Sequence, residues 1–510
     1  MSSALLILAI LSYQSSIVKI GRTEMGGEHR VSIQSMTTTE TLNTASTVNQ
    51  IRELVVAGCD LVRVTTQNIK EAENLKNIKA ELEKQGINIP LIADVHYNPK
   101  VAEVAAQFVE KVRVNPGNYI NNNKLYSNIS VFNDIDEYKV MEQNLVPLLS
   151  ICSVHGTAIR IGVNHGSLSN RILYKYGNTA LGMVESIMEF VNICNNNKFN
   201  NLVLSLKASN VIVMIEANML LVDRLKEKGY SYPIHLGVTE AGSNEDGRIK
   251  SAAGIGYLLA HGIGDTIRVS LTEDPVKEIP VAQSLVEYYG QRQNHFAQIK
   301  YDIFQFSSSI FDVKLPVVVT SQMSKLSDLS IDTSEKNIRQ NPDDKLLSIY
   351  KFSYPGIPYN ELLIRATVDT SIKLINKKND GIWIDNKGIT SADDIAKISL
   401  AILQVLGMRI TKTEFIACPT CGRSSINVFN HLKKVKELTS HLPRLKIAIM
   451  GCAVNGPGEM ADAHYGWVGS GKGMVNIYNG RNIIHKNVKQ EVATKLLINL
   501  IKKSGDWEDA

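Results

Sequence analysis

Cys418 and Cys421 stand as a C-x-x-C pair in FIACPTCGR, and a third cysteine, Cys452, lies downstream in IMGCAVNGPGE. Three thiols are an incomplete set for structural zinc, which takes four Cys or His ligands, commonly as two short-spaced pairs. No second pair follows, and His431, His441 and His464 are not at a familiar ligand spacing from Cys452. Cluster chemistry tolerates the shortage better, because three thiolates and a different fourth ligand leave one iron distinctive and open to substrate. Glu459 is the candidate fourth ligand, since Asn455-Gly456-Pro457-Gly458 can fold the chain back toward Cys452. The C-x-x-C pair alone reads equally as a zinc ribbon or a redox dithiol; Cys452 in its glycine-rich loop favours the metal cluster. Cys59, Cys152 and Cys194 are scattered and expected to be buried free thiols.

A second set of chemically capable residues stands at the ends of short β-branched runs. Residues two apart on a strand face the same way, so Asp94 with His96, Arg113 with Asn115, Ser205 with Lys207, and Arg268 with Ser270 project as same-side pairs. Arg63, Arg160, Asn164 and Glu240 join them. A single arginine in a strand is commonly a rim residue on a solvated edge. Five cations in corresponding positions, Arg63, Arg113, Arg160, Lys207 and Arg268, instead make a positive mouth suited to bidentate phosphate or carboxylate contacts. A substrate with at least two negative charges is expected. His96 serves there as a general acid or as a hydrogen-bond donor to phosphate. Glu240, among cations, is either their ion-pair partner or the acid/base group of the reaction, and the second is favoured.

Such residues need a scaffold that presents strand ends together. From Val31 to Thr272 β-branched runs alternate with helical-period segments, the pattern of repeated βα units around a parallel sheet. Eight strand candidates occur: VSIQSM, CDLVRVTT, PLIADVH, KVRVNPG, AIRIGVNHG, LVLSLKAS, PIHLGVTEAG and TIRVSL. Eight is the number of a TIM-type (β/α)8 barrel, whose active sites lie at the C-terminal ends of the strands. A doubly wound open sheet would show a glycine fingerprint after its first strand, and none follows Val31. Ser470-Gly471-Lys472-Gly473 lacks P-loop spacing and reads as a hairpin turn. Gly254 and Gly256 read as close packing of a helix on the barrel.

The bulk numbers agree. At about 150 residues per domain, 510 residues imply two or three domains. Hydrophobic residues at 44%, charged residues at 21% and 14 prolines exclude a disordered or fibrous chain. A net charge of +5 over 55 basic and 50 acidic residues is too mild for a nucleic-acid partner. Six cysteines, unevenly placed, imply a reducing compartment, and the cytoplasm is expected. The apolar run Ala4–Leu11 is too short to span a membrane. It lacks a basic flank and a clear cleavage site, so a packed or frayed extension is expected rather than a signal peptide.

Taken together and in order, RVNPGN, RIGVNHGSL, SLKAS, HLGVTEAG, GIGDTIRVSLTEDP, ACPTCGR and GCAVNGPGE closely resemble the 4-hydroxy-3-methylbut-2-enyl diphosphate synthase family. The match runs from about Val31 to Pro275 and from about Thr411 to Trp467. The resemblance implies reductive ring opening of 2-C-methyl-D-erythritol 2,4-cyclodiphosphate, with loss of water, in the methylerythritol phosphate route to isoprenoids. It implies one 4Fe-4S cluster held by Cys418, Cys421, Cys452 and Glu459, and flavodoxin or ferredoxin as electron donor. It implies substrate binding by Arg63, His96, Arg113, Asn115, Arg160, Asn164, Lys207, Arg268 and Ser270, to which the strand pattern adds Asp94 and Ser205. Glu240 matches the family's acidic position, and Asn455 a loop asparagine that faces the substrate from the cluster domain.

YKFSYPGIPYNELLIRATVD, DGIWIDN and MRITKTEFIACP resemble the long, three-domain type of the family, although the sequence between barrel and cluster segments is shorter than usual there. The expected division is a barrel over 15–285, a reduced α/β insert over 286–409 and an α+β iron-sulfur domain over 410–510. Leu, Ile and Val runs from Leu346 to Val405 support a folded core in the insert, whereas Ser321 to Pro342 reads as loop-rich. The insert offers no catalytic constellation and is expected to act as spacer and hinge. A monomer is expected, with a homodimer as the alternative, and neither a membrane nor a nucleic acid as partner.

Overall fold

The computed structural model describes residues 13–119, 134–291, 299–308, 316–331, 337–338, 345–376 and 380–509. The apolar run Ala4–Leu11 lies outside the described residues. Asparagine punctuates the βα junctions. Asn43, Asn68, Asn98 and Asn210 each accept a backbone N–H of the first helical turn, starting helices Thr44–Val56, Ile69–Lys84, Pro99–Ala105 and Val211–Lys228. Such a cap satisfies a donor that the helix itself leaves open. Gly229, in the left-handed conformation, ends the last of these.

A hairpin of β1 (Val18–Ile20) and β2 (Thr23–Met25) precedes eight short parallel strands. These are β3 (Ser32–Met36), β4 (Leu61–Thr66), β5 (Leu91–Val95), β6 (Lys111–Val114), β7 (Ala158–Asn164), β8 (Leu202–Lys207), β9 (His235–Leu236) and β10 (Thr266–Ile267). Their order is β8-β7-β6-β5-β4-β3-β10-β9, and a parallel bridge from Leu204 to Ile234 closes the ring between β8 and β9. All eight expected strands are present, and the fold is the expected parallel barrel. Inside it, Val18, Ile20 and Met25 of the hairpin pack with Leu61, Ile92, Ala158 and Val203 from the starts of β4, β5, β7 and β8. The hairpin is therefore an apolar floor at the N-terminal end of the barrel.

The C-terminal segment builds a five-stranded sheet in the order β17 (Glu414–Ala417), β18 (Lys446–Met450), β19 (Tyr465–Gly471), β20 (Met474–Asn479) and β21 (Asn482–Lys489). The first three strands are parallel and the last two join as antiparallel hairpins. Ser470-Gly471-Lys472-Gly473 spans the β19–β20 turn, as its spacing predicts. Helices Val428–Thr439 and Gln490–Lys503 cover a core that includes Leu432, Ile447, Trp467 and Leu497.

Packing resolves the chain into two units. One gathers Asn244–Ile263 with Ser284–Lys412; the other holds Tyr13–Ser243, Gly264–Gln283 and Thr413–Ala510, so the barrel strands and the C-terminal sheet belong together. The first unit contains a six-stranded sheet of β11 (Asp302–Ser307), β12 (Val317–Thr320), β13 (Leu329–Ser330), β14 (Asn337–Ile338), β15 (Leu346–Ser353) and β16 (Gly381–Asp385), in the order β13-β12-β16-β15-β11-β14. Phe306, Val317, Val319, Ile349 and Trp383 form its core. A Cβ on Gly256 would fall 2.3 Å from Cγ2 of Val368 on helix Tyr359–Asn376, so this glycine packs on the insert's helix rather than on the barrel as its sequence suggests. No described helix is long and apolar enough to cross a membrane.

Candidate active site

Strand register brings Asp94, Arg113 and Arg160 side by side on β5, β6 and β7. Two glycines leave room for long cationic side chains to cross the interior. A Cβ on Gly162 would meet Nε of Arg113 at 2.9 Å, and one on Gly237 would meet Nζ of Lys207 at 2.6 Å. With Arg63, Arg268, Asn164, Ser205, Ser270, His96 and Glu240, these residues line a cavity of about 790 Å³, measured out to open solvent. Arg160 is 1% exposed, and its Nε and Nη1 have no hydrogen-bond partner. Burial and then the neighbouring guanidiniums push Arg160 well below the usual arginine range, and Lys207 below that of lysine. Arg63 is brought down to about 10, again chiefly by burial. Unpaired buried cations are costly, so this ring is built to receive anionic charge.

Asp94 is the carboxylate that organises the ring. Arg423 Nη1 donates to Asp94 Oδ2 at 2.8 Å, Arg423 Nη2 donates to the Asp94 carbonyl, and Arg113 Nη1 lies 3.4 Å from Oδ1. Burial alone would raise the Asp94 carboxyl; Arg63, Arg423 and Arg113 outweigh it and hold the group well below the usual carboxylate range. Arg268 is fixed separately, by an ion pair of 3.0 Å to buried Glu278, which also accepts from Ser35 Oγ at 2.8 Å.

His96 has a defined role in this network. Arg113, an obligate donor, points Nη1 at His96 Nε2, and Asn118 sits 2.9 Å from Nδ1. The Asn118 Oδ1 atom has no other partner, so an amide turned to offer that oxygen accepts Nδ1–H and satisfies both groups. Burial, then Arg113 and Arg423, lower the imidazole to about 3. In the substrate-free chain His96 is therefore a neutral acceptor that aims Arg113. Imidazole 15N spectra should show the Nδ1–H tautomer with no titration across about pH 5–8, the range in which an ordinary histidine changes charge; a midpoint near 6.5 would contradict this assignment.

The sulfur ligand candidates occupy the C-terminal ends of parallel strands in the other sheet. Cys418 follows β17 directly, Cys452 lies two residues beyond β18, and Glu459 ends the short helix Gly456–Glu459. Burial and the neighbouring thiolate charges raise Cys418, and the same causes bring Cys452 up to about 11. A bound cationic metal group would reverse both effects. The Gly451 N–H donates to Cys418 Sγ at 3.2 Å, and the N–H groups of Val454 and Asn455 serve Cys452. Glu459 is 1% exposed and its Oε1 has no hydrogen-bond partner. Burial, and then the charge of Glu240, raise Glu459 well above the usual carboxyl range. Among the described residues no three His, Cys, Asp or Glu side chains converge on a single ion. Gathered thiols with N–H donors and an orphaned buried carboxyl oxygen fit an iron-sulfur group.

The two sets of residues meet in one chain. Gly166 of the loop after β7 and Gly458 approach backbone to backbone: a Cβ on Gly458 would fall 1.4 Å from the Gly166 carbonyl oxygen. Beside them His165 places Nδ1 3.1 Å from Asp462 Oδ2 and Nε2 2.9 Å from the Asn178 carbonyl. Hydrogen on both nitrogens would serve both acceptors. Burial opposes that charge, but Asp462 and the carbonyl raise the His165 pKa above its ordinary value. Thr272 Oγ1 donates to the Ala417 carbonyl at 3.1 Å, Tyr97 Oη to the Val454 carbonyl at 3.2 Å, and Ala241 bridges to Ala417. Glu240, at φ +48°, holds a backbone conformation unusual for a non-glycine residue at this junction. Its Oε2 has no hydrogen-bond partner, and burial raises its carboxyl.

The cavity thus unites Arg63, Asp94, His96, Arg113, Arg160, Asn164, Ser205, Lys207, Glu240, Arg268, Ser270 and Asn455 with Cys418, Cys421 and Cys452. Two expected residues lie outside its lining. Asn115 turns to the loop after β7, donating to Ser167 Oγ at 2.9 Å and accepting from Gly117 N–H, and so braces that loop. Glu459 lies beside Gly166, whose added Cβ would meet Oε1 at 3.1 Å. Sequence reading missed Arg423, although it ends the quoted ACPTCGR, and Glu278, which reads as an ordinary helix start. Cys59, Cys152 and Cys194 are buried free thiols, as expected.

Comparison with known proteins follows the same two segments. The family described as GcpE TIM-barrel domain matches residues 15–283, and the GcpE protein C-terminal domain matches residues 414–503. The 4-hydroxy-3-methylbut-2-en-1-yl diphosphate synthase (flavodoxin) of Bacteroides fragilis is 39% identical over 603 residues, covering 97% of this chain and 96% of that protein. The proteins of the same name from Parabacteroides distasonis and Akkermansia muciniphila are 37% and 36% identical, over 97% and 96% of this chain and 98% and 96% of their own. An alignment of 603 positions exceeds the 510 residues of this chain, so the Bacteroides relative carries sequence absent here. With both segments matched and the relatives aligned almost end to end, this chain belongs to the GcpE family, the 4-hydroxy-3-methylbut-2-en-1-yl diphosphate synthases.

Proposed function

We propose that this chain reductively opens the ring of 2-C-methyl-D-erythritol 2,4-cyclodiphosphate. Two electrons and two protons enter, one ring C–O bond to phosphate breaks, one hydroxyl leaves as water, and (E)-4-hydroxy-3-methylbut-2-enyl diphosphate forms. The observation that carries this reading is a cavity in which unpaired buried cations face three gathered thiols. Cys418, Cys421, Cys452 and Glu459 hold one 4Fe-4S cluster. When bound, the cluster supplies the electrons and a Lewis-acidic iron. Flavodoxin, which the relatives' name carries, is the electron donor, and ferredoxin the alternative.

The chain's own residues do the rest. Arg63, Arg113, Arg160, Lys207 and Arg268 bind the diphosphate and neutralise its charge as the C–O bond breaks. Asp94, through Arg113 and Arg423, keeps these forks aimed, and His96 assists as a neutral acceptor. Asn164, Ser205 and Ser270 fix hydroxyl and phosphate oxygens, while Asn455 approaches from the sulfur side. Glu240, its carboxyl raised by burial, carries a proton to the departing hydroxyl. The docked loops exclude water from the reduced state.

The barrel over 15–285, the insert over 286–409 and the cluster domain over 410–510 then act as a monomer, supported by the presence of both half-sites in one chain. A reducing cytoplasm suits its free thiols. Anaerobic turnover of the cyclodiphosphate with reduced flavodoxin, followed by product identification, tests the reaction. Purified protein should carry about four irons per chain, and Glu459→Ala should lose a substantial fraction of them. Colourless protein with one zinc after anaerobic reconstitution would reject the reading, and unchanged iron in the variant would remove Glu459 from the ligand set.

A further inference from the structure

Below the cation ring lies a polar side chain that the reaction above leaves unused. Lys111 is in register with Ile92 on one side and Ala158 on the other, and both belong to the apolar floor formed with the β1–β2 hairpin. Register neighbours on parallel strands point the same way, so the Lys111 stem rises from that floor into the barrel interior. The residue is fully buried, and its Nζ has no hydrogen-bond partner. Gln34, in register with Leu61 of the same floor, likewise has neither amide atom paired.

The groups around Lys111 are cationic or neutral. Arg160 on β7 and Arg63 on β4 act on it most strongly; His235 faces it from β9, hydrogen-bonded to Lys207 of β8 at 3.1 Å; Arg113 follows two residues on along β6. The carboxylate of the adjoining strand, Asp94, is already shared by Arg113 and Arg423. An ammonium here would be buried with no carboxylate paired to it among the described residues, and burial followed by the two guanidiniums holds Lys111 well below the ordinary lysine range.

We propose that Lys111 is an uncharged amine in the substrate-free enzyme and takes up a proton when a multiply anionic ligand fills the barrel mouth, so that substrate binding and Lys111 protonation are linked. The inference rests on the cyclodiphosphate reading. Phosphate charge above the ring offsets the guanidinium field that keeps the amine neutral, and Lys111 then adds its own charge beneath the anion. Because the complex binds one more proton than the free enzyme, affinity falls as pH rises, by up to tenfold per pH unit between the free and bound midpoints. Lys111 is thus a positioning charge that exists only in the complex.

Calorimetric titration of the cluster-loaded full chain with the cyclodiphosphate, anaerobic and without reductant, in buffers of differing ionisation enthalpy reads this directly. Wild type should take up about one proton per substrate bound. Lys111→Met should bind without uptake, with a flat pH profile that meets the wild-type curve at alkaline pH. Lys111→Gln repeats the test should the methionine variant fold poorly. Binding without proton uptake in the wild type would overturn the linkage alone, and uptake persisting in both variants would move the proton to the Lys207–His235 pair and overturn it too. Absence of any binding heat in the wild type would remove the substrate reading, and the linkage with it.

Discussion

Gly458→Ala should lower turnover of the cyclodiphosphate on the order of 10²-fold or more while leaving iron content at the wild-type level. Gly458 lies in a helical turn with negative φ, so alanine suits its backbone and would favour that turn by up to about 1 kcal/mol. What it cannot do is share space with Gly166. The new Cβ would stand 1.4 Å from the Gly166 oxygen and 2.4 Å from its carbonyl carbon, and neither is the movable end of a side chain. The sulfur-bearing loop must retreat from the barrel mouth. Retreat carries Cys452 and Asn455 away from Arg160 and Lys207, although the substituted residue is itself neither a proposed cluster ligand nor a proposed substrate contact. Binding of the cyclodiphosphate, measured by calorimetry, should fall less than turnover, because the cation ring on the barrel is untouched. Near wild-type turnover would show that this docked arrangement is not the reactive one.

Asp94→Asn should destabilise the protein by about 3–5 kcal/mol, the usual cost of stripping one partner from a buried ion pair. The amide keeps the shape but leaves Arg63, Arg113 and Arg423 without the charge that now offsets them. Anaerobic denaturant unfolding at neutral pH measures the loss. Its pH dependence is a second signature. The folded Asp94 carboxyl titrates below the unfolded one, so its contribution is complete above about pH 4 and disappears as pH falls toward the depressed folded value. The gap between wild type and variant should therefore narrow in acid. A stability unchanged at neutral pH would mean that the three arginines find compensation elsewhere.

These two residues also mark how far sequence reasoning reaches. Asp94, Arg113 and Arg160 were readable because strand alternation and barrel geometry dictate where their side chains go. Lys111 obeys the same two-residue rule with Arg113 yet was passed over, since a lysine at a strand start resembles a rim residue until register places it against Ile92 and Ala158. Arg423 was invisible for a different reason. Its partner Asp94 is 329 residues away, and no local pattern encodes the approach of two sheets. The same holds for Gly166 and Gly458, each of which reads alone as a turn residue. Asn115 shows the converse: a same-side position predicts direction, while in this structure Ser167 and the Gly117 N–H hold the side chain at the loop after β7. β9 and β10, reduced to two residues each, were still found, because their flanking apolar residues keep the strand pattern after the ladder ends.

The hairpin plug has a kinetic corollary. Among the described residues, Val18, Ile20 and Met25 stop the N-terminal end of the barrel, so the cation ring is approached from the mouth where Cys418, Cys421 and Cys452 stand. A compound that wedges between the ring and those thiols would therefore obstruct arrivals and departures alike.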